Sequence, residues 1–157
     1  MGQGLHTGHM PIPPMHGPGY WVDVRDKPAF FVAAMRLLAG EARVSLEGNL
    51  SGLDLVSVAG ATNEESPALR RQTLVPRQDF VVLPVEPDTV TAIAARIPGA
   101  RLVADVEHVQ IEKNGRLEIG IYDNFDPDSS WAGEAFSVVL LDQLKEKGIV
   151  RGWRRAE

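Results

Sequence analysis

Apolar and polar positions run along this chain in two rhythms, and the change from one to the other marks its elements. Tyr20–Arg25 (YWVDVR) reads as a strand. Asp26 follows as a helix N-cap, with Pro28 in the first turn, where proline is tolerated. The helix runs from Phe30 to Leu38 and stops at Gly40. Only Arg36 is charged inside it, so it reads as a core helix buried on more than one side, with a partner-binding or self-association face as the alternative. Ala42–Leu46 alternates as a strand should, Glu47–Gly52 has turn chemistry, and Leu53–Val58 is the next predicted strand. Ala59–Gln78 is the least regular part of the body. There, Thr62 and Glu65 have capping-box spacing and predict a short helix near 63–70, while Arg70, Arg71 and Arg77 read as solvated loop arginines.

Phe80–Val85 is a continuous apolar run, consistent with a strand buried on both faces, and Pro84 places it near a strand end or an edge. Asp88 opens a helix whose Val90, Ile93, Ala94 and Ile97 share one face, and Pro98-Gly99 closes it. Arg101–Glu112 and Arg116–Tyr122 form a hairpin around Asn114-Gly115. A straight ladder from a two-residue loop would set Ile111 against Glu118. A three-residue loop, Lys113 to Gly115, instead pairs Ile111 with Leu117 and Val109 with Ile119, and the side-chain period of two favours it. His108, Gln110, Glu118 and Tyr122 then share the opposite face. The apolar phase slips between Val106 and Val109, which predicts a bulge near Glu107–His108. A turn-rich loop, 123–130, leads to a helix of about 134–147 that buries Phe136, Val139, Leu140 and Leu144. Ile149–Arg154 supplies the last strand.

These elements define an α+β chain: a mixed or antiparallel sheet with helices on one face. Residues 79–154 follow the ferredoxin-like βαββαβ order, extended by an N-terminal βαββ unit. Residues 1–19, rich in glycine and proline, are expected to be a disordered or loosely docked arm, and part of that arm reads as a cloning remnant. Residues 20–157 are expected to be a single α+β domain.

Composition narrows the chemistry. The chain has no cysteine, which removes disulfides, thiolate metal sites and a cysteine nucleophile. No apolar run approaches the roughly 20 residues that span a bilayer, and the start lacks a signal-peptide pattern, so a cytoplasmic protein with no membrane partner is expected. The net charge of −5 lies wholly in residues 79–157, which hold fourteen acids against nine bases. Such a surface repels phosphate backbones, and no nucleic-acid partner is expected.

No phosphate loop, dinucleotide fingerprint or nucleophile elbow occurs, so no cofactor, catalytic residue or metal is assigned. The arm carries His6, His9 and His16 with Met10 and Met15 between them, yet a flexible arm has no neighbouring groups to orient metal ligands. Asn124, Asp126 and Asp128 have the spacing that opens an EF-hand loop, but Ser129 and Ala135 stand where a glycine and the bidentate glutamate belong. Three readings follow. The first is a non-enzymatic, acidic protein-binding or regulatory module of inhibitor or immunity type. It would contact its partner through the hairpin face (His108, Gln110, Glu118, Tyr122) and the loop residues Asp123, Asn124, Asp126 and Asp128, with self-association as a variant. The second is a small enzyme or ligand-binding domain centred on His108, Glu118, Tyr122 and Asp123. The third is a calcium-binding loop over 124–134.

Overall fold

In the computed structural model, residues 17–156 are described. The arm's His6, His9, His16, Met10 and Met15 lie outside them, whereas Gly19 already belongs to the first strand. In chain order the elements are β1 (Gly19–Val24), α1 (Lys27–Leu38), β2 (Ala42–Gly48), a 3-10 turn (Leu55–Ser57) and β3 (Asp79–Val85). Then come α2 (Val90–Arg96), α3 (Gly99–Asp105), β4 (Val106–Lys113), β5 (Arg116–Ile121), β6 (Ser130–Gly133), α4 (Val138–Glu146) and β7 (Val150–Ala156). The seven strands among the described residues form one sheet, ordered β3-β2-β4-β5-β6-β1-β7, and every pairing is antiparallel.

The sheet is built on alternation. Ala42, Val44 and Leu46 of β2 face the same side as Val81, Leu83 and Val85 of β3, because cross-strand partners share a face. Val109, Ile111, Ile119 and Ile121 continue that side, and the buried residues of all four helices join it in one core. Phe30, Phe31, Ala34, Met35 and Leu38 of α1 belong to it, so the helix is a core element, but it is buried along one face rather than on more than one side, with Arg36 and Leu37 exposed. The Asp26 carboxylate accepts the Ala29 N–H at 3.1 Å, as expected of its N-cap position.

Several expectations are corrected. The ferredoxin-like order is not the one observed: β2 inserts between β3 and β4, hydrogen-bonded to both, and β6 joins β5 to β1. Four residues of β6 are too few to show a period that separates them from the approach to the last helix. That helix begins at Val138, capped by the Ser137 hydroxyl, which accepts the Leu140 N–H at 3.1 Å. It buries Leu141 and Leu144, and Val139 is 68% exposed. Residues 99–105 are helical rather than extended: Pro98 presets the backbone at φ −54, Leu102 turns into the core, and Arg101 pairs with Asp105 one turn later. The strand expected at Leu53–Val58 is only a 3-10 turn, and no helix forms over 63–70, where Thr62 makes a lone bridge to Val82.

The hairpin has a two-residue turn in place of the expected three-residue loop, and Ile111 pairs with Ile119 and Val109 with Ile121 rather than with Leu117 and Ile119. Asn114 and Gly115 have φ of 52 and 81, and Lys113 pairs with Arg116. A bulge then opposes Glu112 to Leu117 and Ile111 to Ile119, so Glu118 is the extra residue. Loop length and bulge are alternative ways to keep Ile111 off Glu118, and the chain uses the bulge. The other expected bulge is present: Glu47 pairs with His108 and Gly48 with Val106, leaving Glu107 unopposed.

Candidate functional site

On the side of the sheet away from the helices, β2 and β4 present three successive polar cross-strand pairs: Arg43 with Glu112, Ser45 with Gln110, and Glu47 with His108. Residues 66–73 lie over this row and are fastened to it bond by bond. The Ser66 hydroxyl donates to Glu112 at 3.3 Å, and the Arg70 N–H donates to the Gln110 carbonyl oxygen at 2.9 Å. The Glu47 carboxylate accepts the Gln72 and Thr73 N–H groups at 2.8 and 3.2 Å. Leu69 supplies the apolar pin, packed with Phe80, Val82 and Leu117. The Arg43 guanidinium grips Glu112 at 2.6 and 2.7 Å.

His108 sits at the end of this strap. Its Nδ1 accepts the Asp123 N–H at 3.1 Å, which places the neutral ring's proton on Nε2, 2.8 Å from Thr73 Oγ1. The Gln110 amide donates to the Tyr122 hydroxyl at 3.1 Å. Gly120 makes that reach feasible, because a Cβ there would lie 2.6 Å from the Tyr122 hydroxyl. Burial pushes the Tyr122 phenol well above its usual range and raises the Glu47 carboxyl, whose two amide bonds pull it the other way.

Of the residues singled out from the sequence, His108, Gln110 and Tyr122 are therefore brought together, but 2%, 3% and 1% exposed. Glu118 lies at the bulge, half-buried. Asp123, Asn124 and Phe125 form a left-handed turn, with φ of 53, 56 and 63. Asn124 holds it: its side-chain amide donates to the Val103 and Val106 carbonyls at 2.8 and 2.9 Å, and its own carbonyl oxygens receive the Lys27 ammonium. An ammonium thus occupies the face of Asn124 that a calcium ion would need. Asp126 accepts the Ser129 hydroxyl at 3.0 Å, and Asp128 turns outward, 3.8 Å from Arg154. The three EF-like positions do not converge, and among the described residues no group of three acidic or histidine side chains could hold a metal.

Sequence reasoning missed the strap and the groove beside it. An open cleft of about 1160 Å³ runs along the outer edge of β3. Leu50, Leu55 and Val56 form one wall and Arg71, Arg77 and Phe80 the other. The Arg71 guanidinium lies 5.0 Å above the Phe80 ring. The signal for this region was its length: an irregular stretch of this size inside a domain is uncommon unless it covers or binds something.

No family model matches the chain, and no curated protein or solved structure matches it either. No helix among the described residues is long and apolar enough to cross a membrane.

Proposed function

We propose that the chain is a non-enzymatic protein-binding or regulatory module. The groove along β3 carries this reading. It is open, and large apolar side chains stand out of its walls and of the loop beside it: Val56 is 82%, Leu74 55% and Val75 62% exposed. Exposed apolar groups gathered around a concavity mark a contact surface. The groups with acid–base capacity support the same reading from the other side. His108, Glu47 and Tyr122 are enclosed: Glu47 and His108 bond the strap at Gln72 and Thr73, and the Tyr122 hydroxyl accepts the Gln110 amide beneath it. The contact surface expected from the sequence is thereby reduced to the loop 123–130, with Asp128 as its exposed acid.

The test is a pull-down from native lysate with the wild type and His108→Ala. Recovery of one defined partner, in proportion to bait, by both wild type and His108→Ala is the expected result. If His108→Ala stays folded but loses the partner, the site is the His108 cluster after all. If no form retains a partner, the binding-module reading falls.

A further inference from the structure

The edge strand of the groove is guarded at all but one position. In an antiparallel pair, alternate residues turn their N–H and C=O away from the partner strand. On β3 the exchange between Val82 and Thr62, at 2.7 and 3.0 Å, fixes that parity, so Phe80, Val82 and Pro84 point outward. Pro84 has no N–H, and its carbonyl accepts the Thr89 hydroxyl at 2.8 Å. Just before the strand, the Gln78 carbonyl accepts the Arg71 guanidinium at 2.6 Å. Between these positions, the N–H and C=O of Phe80 open onto the groove with no partner among the described residues. Sheet edges are normally blunted throughout, and one open residue within a guarded edge is a docking point for main chain.

The groove carries Arg71 and Arg77 together with Asp54 and Asp79. Ion pairs among the described residues engage Arg43, Arg70, Arg101, Arg151 and Arg154, leaving Arg77 exposed without a carboxylate. Arg71 is held by a carbonyl and an aromatic face, and its charge also acts on the nearby Glu65 and Glu47 carboxylates, which leaves Arg77 as the free cation of the groove among the described residues. The groove's own acids hold neutral donors, Asp79 the Leu50 N–H at 3.0 Å and Asp54 the Ser57 hydroxyl at 2.9 Å, and neither pairs with Arg77.

We infer that the groove binds an extended, acidic segment of a partner protein, which exchanges main-chain hydrogen bonds with Phe80 and sets a carboxylate against Arg77 and Arg71. The inference rests on the binding-module reading and gives its partner a chemistry. The segment runs antiparallel to β3. Thr62 blocks it beyond Val82, so its carboxylate follows, in chain direction, the residue opposite Phe80. An apolar side chain facing the other way meets Leu50, Leu55 and Val56.

A random-peptide display library selected on the full chain is the probe. Enriched peptides are expected to carry an acid shortly after an apolar residue, and a synthetic peptide from the set should slow amide exchange at Phe80. Methylating the peptide nitrogen that pairs with Phe80 should abolish binding. Arg77→Glu should weaken it by about tenfold or more, whereas Arg77→Lys keeps most of it. Arg77 is exposed, and circular dichroism checks that each variant folds. Enriched peptides lacking acids, binding indifferent to Arg77→Glu, or chemical-shift changes confined to 123–130 would each overturn the inference. If Arg77→Glu still recovers the natural partner, the edge assignment fails while the binding-module reading stands.

Discussion

Glu47 illustrates how one buried carboxyl can be both a fastening and a cost. Its raised pKa means that the folded chain holds a proton that the unfolded chain has released. Its contribution is therefore greatest below the unfolded value, near 4.5, and is lost as pH rises through the higher folded value. Glu47→Gln removes the titration and leaves one of the Gln72 and Thr73 N–H groups facing an NH2, at about 1–3 kcal/mol. The stability gap between wild type and Glu47→Gln should accordingly narrow as pH rises above 4.5. Urea midpoints across that range check it, and a gap flat with pH refutes it. Gly120 makes a second residue-scale case. Gly120→Ala drives a methyl into the Tyr122 ring and should cost about 1–3 kcal/mol, with a shifted Tyr122 resonance. Neither effect was legible in the sequence, where Glu47 read as a turn residue and Gly120 as an ordinary strand position. Both depend on what lies across the sheet.

At the scale of elements, the Asp26 cap and the long apolar faces were readable because their physics is local, whereas Asp88 does not cap α2, whose N-cap position is Thr89. Asp26 caps α1 through its own first turn, and the α1 face needs only its own spacing to be apolar. The last helix shows where this stops. Its composition marked a helix, but Val138, Val139, Leu140 and Leu141 run together, and only the placement of α4 over β7 selects Leu141 and Leu144 as the buried pair. Leu141→Ala should cost about 2–5 kcal/mol, and Val139→Asp less than about 0.5, by thermal or chemical denaturation. Equal costs would mean the helix is rotated. The left-handed turn at 123–125 is held by long-range partners. Asn124→Ala takes the amide from the Val103 and Val106 carbonyls and leaves the Lys27 ammonium only the backbone oxygen of residue 124, and should cost about 1–3 kcal/mol. Added calcium should leave the wild-type melting temperature unmoved, and a calcium-dependent rise would restore the metal reading.

For the whole molecule, the strap is the feature on which function turns. Residues 66–73 convert a polar sheet face, which would otherwise read as a solvated or catalytic surface, into an interior layer. His108→Ala should therefore lower stability by about 1–3 kcal/mol through loss of the Thr73 and Asp123 bonds, with partner recovery unchanged. Hydrogen exchange should show the strap opening at lower free energy than β2 and β4 beneath it, because side-chain bonds and one leucine hold it rather than a ladder. By itself the sequence determined the α+β class, most strands, the core helix, the bulge at Glu107 and the shared face of His108, Gln110 and Tyr122. These follow from periodicity and capping, which act over a few residues. Only the tertiary structure decided the strand order, the covering of that face and the opening of the groove at Phe80. Each is a pairing between distant segments, such as β2 between β3 and β4 or Thr62 on Val82, and no local period encodes which segments meet.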